Sequence, residues 1–127
     1  MKVLIFGTFD HLHPGHRFVI DSAALRGRVF IVVARDANVQ KIKGKQARQS
    51  MEERMAAIQN SYPQAHVIAG HAEDFLEPVR TVKPDLILLG YDQKLPPGVK
   101  EVDLPCHIER LPAFEPKLYK SSLRRSL

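Results

Sequence analysis

Three short apolar runs constrain the fold of this chain more than any other feature of its sequence. They cover residues 2–6, 28–34 and 85–89, and the first and third are closed by Gly7 and Gly90. Continuous runs of this length, rich in Val, Ile and Leu, are typical of strands that are covered on both faces, as in parallel sheets. Weaker patterns predict two more strands, over residues 65–69 and 106–111.

Helical patterns separate these runs. Apolar residues recur at near-helical spacing over 14–26, and Ser50 with Glu53 forms a capping box that predicts the start of a second helix. A third pattern covers 73–82, where Pro78 is acceptable only if the helix begins near it. Between residue 35 and this second helix we predict a basic loop, and a last helix follows the fifth strand. This alternation predicts one α/β domain over residues 1–127, a Rossmann-like three-layer arrangement with a five-stranded parallel sheet flanked by helices.

Composition excludes several classes of protein. Hydrophobic residues make up 44% and charged residues 26% of the 127, as in ordinary globular domains. No apolar run is long enough for a membrane helix or a signal peptide, and the lone Cys106 excludes a disulfide framework or a zinc cage, so we expect a cytoplasmic protein. The net charge of +5 favours anionic partners such as nucleotides or sugar phosphates.

The turn after the first apolar run holds the densest group of candidate binding and catalytic side chains in the sequence. It is rich in glycine and histidine and reads Gly7-Thr8-Phe9-Asp10-His11-Leu12-His13-Pro14-Gly15-His16. Open parallel sheets bind ligands at the carboxyl ends of their strands, so the turn is expected at the ligand site.

The residues of this turn suit an anion. Gly7 would let a phosphate approach the backbone, and the helix that begins at Pro14 would offer free N–H groups, with Gly15 leaving space beside them. His13 and His16 lie three apart and would share one face, where both can donate to phosphoryl oxygens. Asp10 could hold magnesium or orient an imidazole ring. The alternatives are capping or surface histidines and, less favoured, a zinc site.

The motif formed by Gly7 to Asp10 and His13-Pro14-Gly15-His16 resembles the signature of the cytidylyltransferase-like nucleotidyltransferases. Two further stretches resemble the archaeal type of FAD synthase, and the small glycerol-3-phosphate cytidylyltransferases share the same frame. These stretches are Val33-Ala34-Arg35-Asp36 with Lys43-Gly44-Lys45, and Lys83-Pro84-Asp85 with Leu89-Gly90-Tyr91-Asp92-Gln93.

The resemblance implies a reaction in which a phosphate monoester attacks the α-phosphorus of a nucleoside triphosphate and pyrophosphate leaves. It implies that His13 and His16 donate to the phosphates, that Lys43 or Lys45 reaches the acceptor phosphate or the triphosphate, and that Arg54 lies over the phosphates. It also implies that Asp10 helps to hold Mg²⁺. The nucleotide-binding residues it implies are Gly7, Thr8, Phe9, Asp10, Gly15, Gly90, Asp92, Ser122 and Arg125.

Plainer readings of the same residues stay open. The lysines could be solvated charges, Arg54 a surface ion pair, residues 90–93 a simple turn and the basic end a frayed tail. The segment before Ser121 and Ser122 also departs from the family pattern, which leaves the acceptor open.

For the activity we favour transfer of AMP to FMN, with Phe9, Phe114 and Tyr119 as candidates to line a flavin slot. The alternatives are a CTP-dependent enzyme acting on glycerol 3-phosphate or a related small phosphate, and a module that only binds nucleotide or RNA. Nucleic acid and membrane partners are not favoured, and the resemblance implies a homodimer.

Overall fold

The computed structural model describes residues 1–95 and 99–113 of the chain. Within these residues the chain forms five strands and four helices, with two helices in succession between the second and third strands and a short 3-10 turn at Glu101–Asp103 before the last strand. The strands are β1 (Lys2–Gly7), β2 (Arg28–Val33), β3 (His66–Ala69), β4 (Leu86–Leu89) and β5 (His107–Arg110). The helices are α1 (Pro14–Ala24), α2 (Asp36–Lys43), α3 (Met51–Ser61) and α4 (Glu77–Val82).

The five strands form one parallel sheet in the order β3-β2-β1-β4-β5. β1 lies at the centre, where Val3 is paired with Val29 on one side and with Leu86 on the other. The chain runs from β1 toward one edge through β2 and β3, and then crosses back to β4 and β5. The strand order therefore reverses at β1, and its carboxyl end is the switch point at which such sheets bind ligands.

Two apolar clusters cover the two faces of the sheet, because alternate residues of each strand point to opposite sides. Val3 and Ile5 pack with Ile20 of α1 and Ile58 of α3 on one face. On the other face, Leu4 belongs to the cluster that holds the apolar residues of α4. The predicted three-layer α/β fold with five parallel strands is confirmed.

The predicted basic loop after β2 is wrong in part, because α2 occupies Asp36–Lys43. Acidic Asp36 in its first turn and basic Lys41 and Lys43 in its last suit the helix dipole, and Gly44 ends it with a left-handed φ of 73°. Val39 is its one apolar residue that the structure shows buried.

The helix that the sequence predicts over residues 73–82 begins later than expected. α4 starts at Glu77, which puts Pro78 within its first turn, as a proline requires. Ahead of it, His71 Nδ1 accepts the backbone N–H groups of Glu73 and Asp74, so this segment is held by a side chain instead of by helix bonds.

The predicted closing helix lies outside the described residues, and so do Phe114, Tyr119, Ser122 and Arg125. Within residues 1–95 and 99–113, no helix has the length and apolar character that crossing a membrane needs.

Candidate active site

The turn that follows β1 is shaped by Phe9. Its backbone takes a left-handed φ of 54°, and its ring is only 4% exposed. A Cβ atom at Gly7 would lie 2.7 Å from Cε2 of that ring, closer than carbon atoms can approach. The ring of Phe9 therefore requires glycine at this position, for a packing reason that the sequence did not show, and the approach of a phosphate to Gly7 stays a prediction. A ring this buried is also not available to stack on a base or a flavin.

We expect the substitution Gly7→Ala to destabilise the fold by about 1–3 kcal/mol, the usual cost of overpacking a well-packed site. Gly90→Ala is the matched control, since a Cβ there would meet its nearest atoms at an ordinary 3.7 Å. Urea unfolding of both variants measures the difference. Equal stability of Gly7→Ala and the native protein would show that Phe9 can give way.

The first turn of α1 is closed by its two histidines. His13 is the residue before the helix, and its Nδ1 accepts the N–H groups of Gly15 at 3.1 Å and of His16 at 3.4 Å. His16 Nδ1 in turn accepts the N–H of His13 at 3.3 Å. Pro14 has no N–H to offer, and Arg17 donates to the carbonyl of His13. The free N–H groups expected at this helix start are thus engaged by imidazole, and the histidines cap the helix, as the alternative interpretation predicts.

This capping fixes the protons of the two rings. Because both Nδ1 atoms accept hydrogen bonds, each neutral ring carries its proton on Nε2. The rings are stacked, with centroids 3.6 Å apart and planes 20° from parallel. Two Nε2–H donors therefore stand side by side at the switch point, directed away from the bonds that cap the helix. They are suited to two oxygens of a phosphate chain.

His16 is neutral over the physiological pH range. Burial is the main reason that its pKa falls from 6.5 to about 4, and the positive charges of His13 and Lys43 lower it further, against the opposing effect of Asp10. A neutral ring keeps its Nδ1 lone pair for the cap. His16 is consequently a hydrogen-bond donor through Nε2 and not a cation. The effect of Lys43 also places that ammonium group within electrostatic reach of the histidine pair.

The lowered pKa makes stability depend on pH. Between pH 6.5 and about 4, the unfolded chain binds a proton at position 16 that the native protein does not. The free energy of unfolding therefore falls as the pH falls through this window, by about 1 kcal/mol after allowance for solvent screening, and this group has no effect above it. Urea unfolding at pH 7.5 and 5.0 should show a smaller loss for His16→Gln than for the native protein. Identical losses would contradict the lowered pKa.

Asp10 ties the turn to the segment before α3. Its Oδ2 accepts the N–H of Arg48 at 2.9 Å and its Oδ1 that of Gln49 at 3.0 Å. The bond from Arg48 is the largest cause that lowers the pKa of Asp10. In the opposite direction, Oε1 of Gln49 accepts the backbone N–H of His11 at 2.9 Å. Loop 8–12 and residues 48–49 therefore form one bonded unit.

The side chains around the histidine turn do not form a metal site on their own. Within the described parts of the chain, no three His, Cys, Asp or Glu side chains are grouped so that they could hold an ion. Asp10 is a single carboxylate whose two oxygens already accept backbone N–H groups. A magnesium ion here would need most of its ligands from the phosphates of a nucleotide and from water.

Arg54 lies beneath the site and not over it. Its side chain is 0% exposed, in contrast to the prediction that it lies over the phosphates and to its alternative as a surface ion pair. The guanidinium donates to the carbonyl of Thr8 at 2.8 Å, to that of Gln49 at 3.2 Å and to Asp36 Oδ1 at 2.7 Å. One buried cation thus joins the turn after β1, the start of α2 and the segment before α3.

The turn at residues 90–93 lies beside the histidine turn at the same edge of the sheet. Gln93 makes the link, because its Nε2 donates to the carbonyl of Phe6 at 2.9 Å while its Oε1 accepts the N–H of Gly90 at 3.0 Å. Tyr91 and Asp92 are exposed on this turn. The structure thus brings the turn that carries Gly90 and Asp92, two of the predicted nucleotide-binding residues, next to the end of β1.

The remaining candidates differ in how closely the structure brings them to this site. Lys43 ends α2 and Lys45 follows its capping glycine, both exposed, and Gly15 belongs to the helix cap. Ser122 and Arg125 fall in the part of the chain that is not described. Sequence reasoning gave no role to Gln49 or Arg110, and assigned Asp36 and Gln93 none beyond a family resemblance. Single polar residues in loops carry no periodic signal that could have revealed their bonds.

The chain is similar to several known proteins. It is 36% identical over 121 residues to an FAD synthase of Methanosarcina mazei, covering 87% of this chain and 76% of that one. An FAD synthase of Aciduliprofundum boonei is 36% identical over 107 residues, 84% of this chain and 70% of the relative. A solved structure, the lipopolysaccharide core biosynthesis protein from Thermoplasma volcanium, is 30% identical with a TM-score of 0.78, covering 91% of this chain and 98% of that chain.

A parallel α/β domain that presents two imidazole donors at its switch point defines, with these relatives, a nucleotidyltransferase. The family model described as cytidylyltransferase-like matches residues 4–112. The chain belongs to the cytidylyltransferase-like family.

Proposed function

We propose that the protein transfers AMP from ATP to FMN and releases pyrophosphate. The observation that carries the proposal is the stacked pair of His13 and His16, with both Nε2–H groups free of the helix cap. The FAD synthases of M. mazei and A. boonei support the choice of substrates by their similarity over most of the chain.

In this reaction an oxygen of the FMN phosphate attacks the α-phosphorus of ATP. A new P–O–P bond forms while the bond to the β-phosphate breaks, and pyrophosphate carries away the electron pair. No covalent intermediate on the protein is needed, so the work of the site is to position the phosphates and to stabilise their charge. The imidazole donors act on the oxygens where that charge grows.

The rigidity of the site supports this role. Both rings are held by two-way bonds at the start of α1, and loop 8–12 is fixed through Asp10 and Arg54. Donors that are oriented before the substrate arrives cost no reorganisation when the reaction occurs. A divalent cation such as Mg²⁺ would neutralise phosphate charge in this reaction, held mainly by the nucleotide, with Asp10 as the nearest candidate carboxylate.

A second function is favoured by one structural observation. The cavity of about 330 Å³ between α2 and residues 46–50 is lined by Asp36, Gln40, Gln46 and Gln49 among others, whereas Phe9 is buried in the core. Polar side chains of this kind suit a polyol phosphate better than a flavin ring. The chain is likewise similar to the T. volcanium protein of lipopolysaccharide core biosynthesis. In this second function the acceptor would be a small phosphate and the donor CTP or ATP.

A pyrophosphate-release assay separates the two functions. It crosses ATP, CTP, GTP and UTP with FMN, glycerol 3-phosphate and other small phosphates in the presence of Mg²⁺. We expect turnover with ATP and FMN. Turnover with CTP and a small phosphate but not with FMN would replace the first function by the second, and turnover with no pair would contradict both.

The expected homodimer and cytoplasmic location stay predictions. Analytical ultracentrifugation at micromolar concentration tests the first, and a sedimentation coefficient of a 14.4 kDa species would contradict it.

A further inference from the structure

The far side of the 90–93 turn is held by Arg110. This arginine is the last residue of β5, where it is paired in register with Leu89, and the next residue continues the pairing through a bond from Leu111 N–H to the Leu89 carbonyl at 2.8 Å. The backbone that carries Arg110 is therefore fixed against the strand from which the turn departs.

One nitrogen of Arg110 faces three carbonyl groups of the turn. Its Nη1 lies 2.8 Å from the oxygen of Gly90, 2.7 Å from that of Gln93 and 3.3 Å from that of Tyr91. Three carbonyl dipoles that converge on one point repel each other unless a positive charge lies between them. The guanidinium supplies that charge at every physiological pH, because arginine does not lose its proton.

The turn is consequently held by hydrogen bonds to two strands. Gln93 anchors it to β1 through the carbonyl of Phe6, and Arg110 anchors it to β5. With three of its carbonyl groups turned to Arg110, the turn leaves the exposed side chains of Tyr91 and Asp92 on its outer surface. The shape of the turn that faces a ligand at this edge of the sheet depends on the bonds of both Gln93 and Arg110.

We propose that Arg110 is a positioning residue for nucleotide binding, which sets the shape of the 90–93 turn as the subsite for the nucleoside. The inference rests on the proposed function in that the ligand of the turn is a nucleoside triphosphate. Arg110 acts through the turn and has no contact with the phosphates that react. Its loss therefore weakens the binding of the nucleotide more than it slows the chemical step.

The substitution Arg110→Ala should raise KM for the nucleoside triphosphate about tenfold or more, with kcat and KM for the acceptor changed less than about threefold. Arg110→Lys should recover much of the affinity, because an ammonium group can also donate to clustered carbonyl oxygens. Glu109→Gln is the matched control. It alters the neighbouring residue of the same strand, which is paired with Arg26 and not with the turn, and should leave KM for the nucleotide unchanged.

Two further measurements, one of hydrogen exchange and one of nucleotide binding, complete the test. Hydrogen exchange should become faster at the amides of Gly90 and Gln93 in Arg110→Ala, since both bond within the turn. Calorimetric titration with ATP and with CTP should show the loss of affinity without requiring turnover. Unchanged exchange, unchanged nucleotide affinity, or an equal loss in kcat for all substrates without rescue by lysine would each overturn the inference.

These outcomes are separable from a failure of the proposed function. A native protein that binds ATP or CTP but releases no pyrophosphate contradicts the proposed function, and the affinities of the Arg110 variants then decide the inference. A native protein that turns over normally, with nucleotide affinity unaffected in Arg110→Ala, contradicts the inference alone. A native protein that binds neither nucleotide contradicts both.

Discussion

Replacing His16 by glutamine should lower the rate of pyrophosphate release by about 10²–10³-fold, the usual effect of removing one oriented donor from a site of charge stabilisation. The free energy of unfolding should change by less than about 1 kcal/mol, because glutamine at the third position of a helix makes the same return bond to the N-cap backbone. The variant replaces the rigid ring donor by a flexible amide NH2 that no longer stacks on His13, and it keeps the cap that His16 Nδ1 now makes with His13. Pyrophosphate release and urea unfolding, measured on the same preparation, separate these two effects.

His13→Asn is the companion variant. Asparagine is among the best N-cap residues and can accept the bonds that His13 Nδ1 now receives from Gly15 and His16. We expect a loss of activity of the same order, and a double variant less impaired than the product of the two, because the stacked rings act on one phosphate chain. Full activity in both single variants, with stability lost, would make the histidines capping residues only.

The second large effect is expected at Arg54. Arg54→Met should lower the free energy of unfolding by about 3 kcal/mol, because it removes a fully buried cation and leaves the part-buried carbonyls of Thr8 and Gln49 without their donor. Activity should fall as well, since the turn that carries the histidines loses its tie to α3. Urea unfolding gives the first quantity and pyrophosphate release the second.

Asp36→Asn is the control for the Arg54 variant. It removes the charge of the partner but keeps an oxygen that can accept the bond from Nη2, and the Asp36 side chain is 58% exposed, so the cost should stay below about 1 kcal/mol. A stable Arg54→Met protein with a selective loss of nucleotide affinity would place Arg54 at the phosphates, as the sequence predicted, and would contradict the buried arrangement.

The fold was predictable because its signals are periodic. β1, β2 and β4 are apolar runs covered on both faces, and residues 86–89 are all buried as such runs predict. α2 was not predictable in the same way, because the structure shows only Val39 as a buried apolar residue and its ends are set by dipole and glycine effects that a loop can share. Element order thus followed from hydrophobic patterning, whereas a polar helix did not.

The position of the site could be predicted from the sequence, but most of its hydrogen bonds could not. The spacing of His13 and His16 predicts a shared face, and their rings are stacked. The spacing does not show which nitrogen faces the helix, and the expected free N–H groups are used by the cap. Arg54 was misassigned, and the packing of Phe9 on Gly7 was missed, for a related reason, since the carbonyls around the arginine and the ring over the glycine come from residues whose orientation only the folded chain fixes.

The central claim is that both imidazoles carry their proton on Nε2 and offer it to a triphosphate. Long-range ¹H–¹⁵N spectra of the histidine rings at pH 7.5, recorded with added ATP and with added CTP, test it directly. We expect Nδ1 of His13 and of His16 to be unprotonated, and the Nε2–H signals of both to move on titration with the nucleotide that binds. A protonated Nδ1 in either ring, or Nε2 signals that stay in place while nucleotide binds, would contradict it.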